Sequence, residues 1–381
     1  MELLELQQRF NQDEVIQYKK KAFPNSIGGL LNTDFSEVKG AIVVFCVAEN
    51  RANGKSEESW TRQVREQLYS LFPESGAAIL DWGNLKLGST YADTLVVLQE
   101  VTEHILKQGG FPLVMGGGHD LTKALALSLK GAESEVHLGL LDAKLDVGDT
   151  EDGLHAGNFL SDFIINHSQF VYDIHCMGVQ RYFVDPEIVQ LWNGLNLGMT
   201  RLGECKNTIS TLEPCIRDLD VFSIDLGVLE LASFSGANNG PNGINAWEFC
   251  QISKYAGMAD RLQLLGLFGL DTTLSANHAL LLAEFVWCFV EGYAMRVGDY
   301  PVGPKDGHRK FTVTMDQEVT QELMFFQSTK SGRWWFQAPP TSLNQNQPIR
   351  KNWVSCSYED YQSALENKIP ALWWKWLDKN A

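Results

Sequence analysis

Seven short apolar runs, at residues 41–48, 78–81, 112–115, 138–142, 170–179, 221–226 and 263–270, alternate with helix-like stretches at 57–71, 91–108, 121–130, 246–256 and 277–295. Strands separated by helices connect as parallel crossovers. The alternation therefore predicts an α/β fold of three αβα layers, with a doubly wound, mainly parallel sheet covered on both faces. In such a sheet, ligands bind outside the carboxyl ends of the strands.

Three of the runs end in groups that carry chemistry. GGGHD at 116–120 follows the third run, DAKLD at 142–146 closes the fourth, and SIDLG at 223–227 closes the sixth. They place His119, Asp142, Asp146 and Asp225 at strand ends. An imidazole and carboxylates converging on one crevice are donors for a divalent metal. Each run alone has a plainer reading: His119 as a satisfied core histidine after a glycine-rich turn, and Lys144 with Asp146 as an ordinary ion pair at a strand end.

In their order and spacing the three runs resemble the ligand motifs of the ureohydrolase superfamily, which covers arginase, agmatinase and formimidoylglutamase and reads GGxHD, DAHxD and SxDxD. The resemblance is closest to the formimidoylglutamase-like branch. It implies an arginase-like fold and hydrolysis of C–N bonds in linear amidines at two manganese ions. Carried over residue by residue, one metal would take His119, Asp142, Asp146 and Asp225, all of which are present. The other would share Asp142 and Asp225, but its private histidine and aspartate are replaced by Lys144 and Gly227. The resemblance thus implies at most one Mn2+ per chain, or none.

The replacement has an electrostatic reading. Two divalent cations facing four carboxylates become one cation and one ammonium facing three, so neutrality is kept. Two-residue spacing on a strand places Asp142, Lys144 and Asp146 on one face. The Lys144 ammonium, a compact charge with three donors, is therefore expected within salt-bridge reach of the aspartates, where the second metal would lie. Lys144 is in this sense a candidate catalytic-site residue. An ammonium cannot ligate the hydroxide that a metal pair generates, so hydrolysis should fall steeply.

The resemblance spans roughly residues 39–293. The stretch from Ala48 through Arg51 to Trp60 is similar to the turn that opens formimidoylglutamase-like members, and MGVQRY at 177–182 to the strand end after the second motif. His155 in LHAGNF resembles the family's histidine-glycine turn, which implies a catalytic role in proton relay. Its other reading is a loop histidine capping a helix over 156–163. Where the family carries a glutamate in ExNPxxD, this chain reads GLFGLDTTLSANHA, with Gly269 nearest the glutamate's place. A buried cationic substrate head would lose its counter-ion there, a loss of several kcal/mol.

Two functions follow. The preferred one is a pseudoenzyme, a ureohydrolase fold kept for binding, assembly or regulation. The alternative is a single-metal hydrolase of linear amidines such as formimidoylglutamate, arginine or agmatine, in which His155 shuttles protons. Its partner would be a small guanidino or formimino compound. The resemblance also implies a homo-oligomer, since members assemble into trimers or hexamers.

Composition narrows the setting. A net charge of −16 repels nucleic-acid phosphates. No apolar run reaches the roughly 20 residues of a membrane span. The N-terminus lacks the order of a signal peptide, so a cytoplasmic protein is expected. Seven scattered cysteines without a CxxC pair fit reduced thiols.

Beyond residue 300 the chain changes character. Residues 301–381 carry ten Lys and Arg against eight Asp and Glu, whereas residues 1–300 carry 21 against 39, and the tail holds six of eleven tryptophans. The division expected is a main domain over 1–300 and an extension over 301–381 packed on it by its tryptophans. Two strands are expected over 310–336, an exposed loop over 341–347, and a helix over 358–377 broken at Pro370.

Overall fold

The computed structural model describes residues 2–53, 59–73, 77–131, 135–151, 153–236, 238–270, 274–301, 307–315, 321–338 and 353–380. A nine-stranded sheet contains β1 (Phe10–Asn11), β2 (Ile42–Val47), β3 (Ile79–Leu85), β4 (Phe111–Gly116), β5 (Val136–Leu141), β6 (Val171–Val179), β7 (Gly198–Arg201), β8 (Val221–Asp225) and β9 (Leu264–Phe268). Its order is β1-β3-β2-β4-β9-β8-β5-β6-β7. Neighbours are parallel throughout, except that β1 pairs antiparallel with β3. The seven expected strands are all present; β1 and β7 are short edge strands without an apolar pattern to reveal them.

The apolar runs are continuous because both faces of the sheet are covered. Along β2, Ile42, Val44 and Cys46 join one core cluster, while Val43, Phe45 and Val47 join the other. Two cores separated by one sheet make the three-layer αβα fold. On one face, helices Ala246–Met258 and Ala276–Ala294 approach to backbone contact. A Cβ on Gly257 would lie 2.2 Å from the Phe289 carbonyl oxygen, and one on Gly292 2.2 Å from that of Lys254.

The topology brings the motif strands together. From β4 the chain crosses over to β5, and β8 and β9 later fill the gap between them. The carboxyl ends of β4, β9, β8 and β5 therefore stand side by side, at the place where the strand order reverses and a crevice opens.

The extension forms a second, antiparallel sheet of β10 (His308–Met315), β11 (Gln321–Ser328), β12 (Trp334–Gln337) and β13 (Trp353–Cys356), in that order. Where two strands were expected over 310–336 there are three, because Gly332 at φ 76° supports a further tight turn. Helices Tyr358–Leu365 and Ala371–Asn380 are separated around Pro370, as expected. The loop expected over 341–347 lies outside the described residues. Trp334 stacks on Tyr361 at 4.8 Å, and Trp334, Trp373 and Trp376 close a core with Phe325 and Phe336.

Two adjacent residues fasten this sheet to the main body. Arg217 donates to the carbonyl oxygens of Trp334 (3.0 Å) and Cys356 (3.3 Å), with its guanidinium 4.6 Å from the Trp335 ring. Asp218 accepts from the Ser355 backbone N–H (2.9 Å) and hydroxyl (2.7 Å). Among the described residues, no helix is long and apolar enough to cross a membrane.

Candidate metal centre

The glycines after β4 set the position of His119. Gly117 N–H donates to the Val47 carbonyl (3.0 Å) and Gly118 N–H to that of Glu49 (3.2 Å). A Cβ on Gly117 would lie 2.3 Å from the Glu49 oxygen, so this close exit excludes any side chain. The chain then turns through a short 3-10 helix, His119–Leu121, and drops the imidazole into the crevice with no exposed surface.

Carboxylates converge on one ring nitrogen. His119 Nδ1 lies 2.9 Å from Asp146 Oδ2, 3.2 Å from Asp142 Oδ2 and 3.9 Å from Asp225 Oδ2. Ligand atoms of His119, Asp142 and Asp146 all fall within 4.8 Å of one another, and Asp225 stands at the margin of the group. On its far side His119 Nε2 meets Ser223 Oγ at 3.1 Å, and that hydroxyl contacts Thr122 Oγ1 at 2.5 Å. The Phe159 and Phe268 rings, 5.1 and 6.1 Å away, complete the imidazole's surroundings.

The second oxygens of two aspartates are engaged elsewhere. Asp142 Oδ1 accepts from the backbone N–H of Lys144 at 2.9 Å, and Asp225 Oδ1 from that of Gly227 at 2.5 Å. Both carboxylates thus turn one oxygen toward His119 and give the other to the N–H two residues on. Those N–H donors belong to Lys144 and Gly227, the two positions where the resemblance implied further ligands.

Burial and mutual repulsion dominate the electrostatics. Burial and the charge of Asp142 push Asp146 well above the usual carboxylate range; the same two causes push Asp225 up to about 6. Burial acts to lower the His119 pKa, but hydrogen bonds to Asp142 and Asp146 outweigh it and hold the imidazole well above its ordinary value. One imidazole and three carboxylates in a desolvated crevice are short of positive charge. An imidazole nitrogen and carboxylate oxygens at these separations suit one divalent ion. For a second ion the residues do not fit, since Gly227 offers no side chain and an ammonium at Lys144 offers donors only.

Lys144 does not lie where the strand periodicity placed it. The side chain is exposed, its Nζ is 5.8 Å from the centre of the Phe183 ring, and among the described residues it forms no ion pair with Asp142, Asp146 or Asp225. The reason is that β5 ends at Leu141. Asp142–Asp146 follow a bend rather than a pleat, so alternation no longer governs them. The bend gathers Asp142 and Asp146 and sends Lys144 outward, leaving its ammonium only a distant influence that lowers Asp225.

His155 is exposed on the loop after β5. Its backbone N–H donates to Asn158 Oδ1 (2.9 Å), and its Nδ1 accepts from the Gly157 N–H (3.1 Å). None of these bonds reaches His119 or the aspartates. The helix there runs Phe159–His167, later than the expected 156–163. Gly269 follows β9 with φ 85°, and a Cβ there would lie 3.3 Å from Asp225 Oδ1, so the position expected for the missing glutamate borders the crevice. Residues 271–273 of the same run lie outside the described residues.

Ser223 and Thr122 gain a structural part that the sequence reading did not assign. The signal was available for Ser223, which sits two residues before Asp225 on β8 and hence on the same face. Thr122 carries no comparable mark.

A parallel sheet whose adjacent strand ends gather one histidine and three aspartates defines an α/β protein with a candidate metal centre. The sequence profile described as Arginase family matches residues 52–290, and the chain belongs to that family. No curated protein sequence matches the chain. Among solved structures, it is similar to the formiminoglutamase of Trypanosoma cruzi determined with Mn2+, at 20% identity and a TM-score of 0.64, covering 71% of this chain and 99% of that one. Formimidoylglutamase from Bacillus subtilis gives 15% identity and a TM-score of 0.64, over 71% of this chain and 92% of that one. Proclavaminate amidino hydrolase from Streptomyces clavuligerus gives 17% and 0.57, over 70% and 96%. These likenesses define the fold.

Proposed function

We propose that this chain is a pseudoenzyme of the arginase family, retaining the fold for binding or regulation, with at most one divalent ion, manganese, at His119, Asp142, Asp146 and Asp225. The observation that supports this reading most is the engagement of Asp142 Oδ1 and Asp225 Oδ1 by the N–H groups of Lys144 and Gly227. Each of these oxygens spends one lone pair on an N–H, and neither position 144 nor position 227 places a metal-ligating side chain beside it for a second ion. A single ion, when bound, would act as a Lewis acid toward a small guanidino or formimino compound. Gly269 supplies no carboxylate to hold the cationic head of such a compound. The family relatives solved with Mn2+ support the choice of metal.

The intact cluster around His119 favours one alternative, a single-metal hydrolase of linear amidines. Elemental analysis of the purified full chain, with turnover of formimidoylglutamate, arginine, agmatine and guanidinobutyrate in added manganese, separates the two. At most one Mn2+ per chain and no turnover is the expected result; turnover by a one-metal protein establishes the alternative, and two ions per chain overturn both. We also propose residues 1–300 and 301–381 as body and extension, and a cytoplasmic setting in which the seven cysteines stay reduced.

A further inference from the structure

A cavity of about 340 Å³ opens beside the β6–β7 edge of the main sheet, within the roughly 300–1,000 Å³ typical of small-molecule sites. Val179 closes β6 and Arg201 closes β7, and the two residues are partners in the strand register. Arg181 follows two residues after Val179, so the end of this strand pair brings two arginines to one cavity. The cavity stands at the carboxyl end of the sheet, as His119 does, yet none of His119, Asp142, Asp146 and Asp225 lines it. The Gln180 N–H donates to the Ala143 carbonyl at 2.9 Å, which ties the cavity to the bend that carries Asp142 without sharing its carboxylates.

The charges on its wall are unequally matched. Lys206 pairs with Glu248 at 3.1 Å, lies 3.8 Å from Glu230 and donates to the Gly243 carbonyl at 2.8 Å, so these groups offset one another. Gln180 is engaged as well: its Nε2 donates to the Asn242 carbonyl at 3.1 Å and its Oε1 accepts from the Tyr182 hydroxyl. The two arginines are different. Arg9, Arg51, Arg65, Arg217, Arg261 and Arg333 each pair with a carboxylate, whereas Arg181 and Arg201 pair with none among the described residues. Glu204, three residues after Arg201, gives its Oε2 to the Arg201 backbone N–H at 2.7 Å. Arg181 is half-buried, and its Nη1 is enclosed without a hydrogen-bond partner. In a chain of net charge −16, two guanidinium groups without a carboxylate are a local reversal of sign. A further cation stands close by, since Lys144 Nζ is 5.8 Å from the Phe183 ring, which meets the ring of the lining residue Tyr182 edge-on at 4.7 Å.

An enclosed guanidinium N–H without an acceptor is costly and calls for a partner. The planar fork of a guanidinium matches the paired oxygens of a carboxylate or a phosphate. We propose that this cavity is a binding site for the oxyanion of a small acid, a carboxylate or a phosphate, held by Arg181 and Arg201. Arg181 supplies the enclosed N–H, and the exposed Arg201 adds charge that draws the anion in. The site is separate from the candidate metal centre and needs no metal ion.

The test uses the full chain with glutarate and inorganic phosphate as probes, at an ionic strength held constant with sodium chloride. EDTA is present, so that no ion at His119 can hold the anion. Isothermal titration calorimetry should show saturable binding of one anion per chain, and the thermal midpoint should rise with its concentration. Binding of glutarate alone assigns a carboxylate, binding of phosphate alone a phosphoryl group, and binding of both a general oxyanion site. Arg181→Gln and Arg201→Gln should each weaken binding about ten-fold or more. Arg309→Gln, which removes an exposed arginine from the extension, should leave it unchanged. The parent's midpoint shift needs no variant, and exposed Arg201 can be replaced even if Arg181→Gln fails to fold. Absence of saturable binding by both probes, parent affinity in either folded cavity variant, or an equal loss in Arg309→Gln would overturn the proposal.

Discussion

His119 Nδ1 lies 2.9 Å from Asp146 Oδ2, while Lys144, two residues before that aspartate, points away from both. The contact makes His119 and Asp146 the closest pair of the candidate centre, and its far side is held by Ser223. Partners that orient a ligating histidine typically affect metal affinity by ten- to a hundred-fold. Ser223→Ala should therefore weaken Mn2+ binding by about that factor without changing the stoichiometry. Isothermal titration calorimetry reads both quantities, and unchanged affinity would remove Ser223 from the centre.

Lys144→Met should leave manganese stoichiometry as it is and alter stability by less than about 0.5 kcal/mol, as for an exposed side chain with no ion pair among the described residues. A lysine standing in for a metal among buried carboxylates would behave differently, since its removal would leave uncompensated charge and cost about 3–5 kcal/mol. Urea denaturation of the two proteins distinguishes these magnitudes.

The contrast between Lys144 and its neighbours shows what the sequence could convey. Strand positions were legible because both faces of the sheet are buried, which makes the runs at β2, β4, β5, β8 and β9 largely apolar. His119, Asp142 and Asp225 were legible because they fall at the ends of those runs, and parallel topology sends all such ends the same way. Lys144 was misplaced because strand periodicity was extended past Leu141, into a bend fixed by the hydrogen bond from its own N–H to Asp142. Ser223 was legible in principle, two residues before Asp225 on one face of β8, whereas the role of Thr122 depends on strand adjacency set by the chain's return through β8, which no local pattern encodes. How the extension docks through Arg217 and Asp218 is likewise absent from any single motif.

Arg217 provides a test of the docking. Its side chain is 3% exposed and satisfies two carbonyl oxygens on the extension while pairing with Glu213 at 2.8 Å. Removing it leaves those buried acceptors without their charged donor, at about 1–3 kcal/mol for each unsatisfied group. Arg217→Ala should lower the thermal midpoint and open the junction near residue 300 to proteolysis before the main body unfolds. Identical protease resistance in the parent and the variant would show that the arginine does not hold the extension in place.

The last prediction addresses the two altered ligand positions together: Lys144→His with Gly227→Asp should raise manganese stoichiometry from one to two. The double change returns an imidazole and a carboxylate, the donors a divalent ion there requires. A side chain at 227 also acts on Asp225 directly, since its Cβ would lie 2.7 Å from Asp225 Oδ1. That oxygen ends a side chain and can swing aside, leaving its bond with the Gly227 N–H and becoming available to bridge. Lys144→His alone leaves Asp225 Oδ1 engaged, and Gly227→Asp alone leaves the exposed ammonium nearby and the site one ligand short. Each single variant should therefore bind one ion. Turnover of cationic amidines should stay poor in the double variant, because a glutamate at Gly269 is still lacking and the backbone there, at φ 85°, resists any side chain. If the double variant folds and binds one ion like the parent, positions 144 and 227 do not border a second metal position.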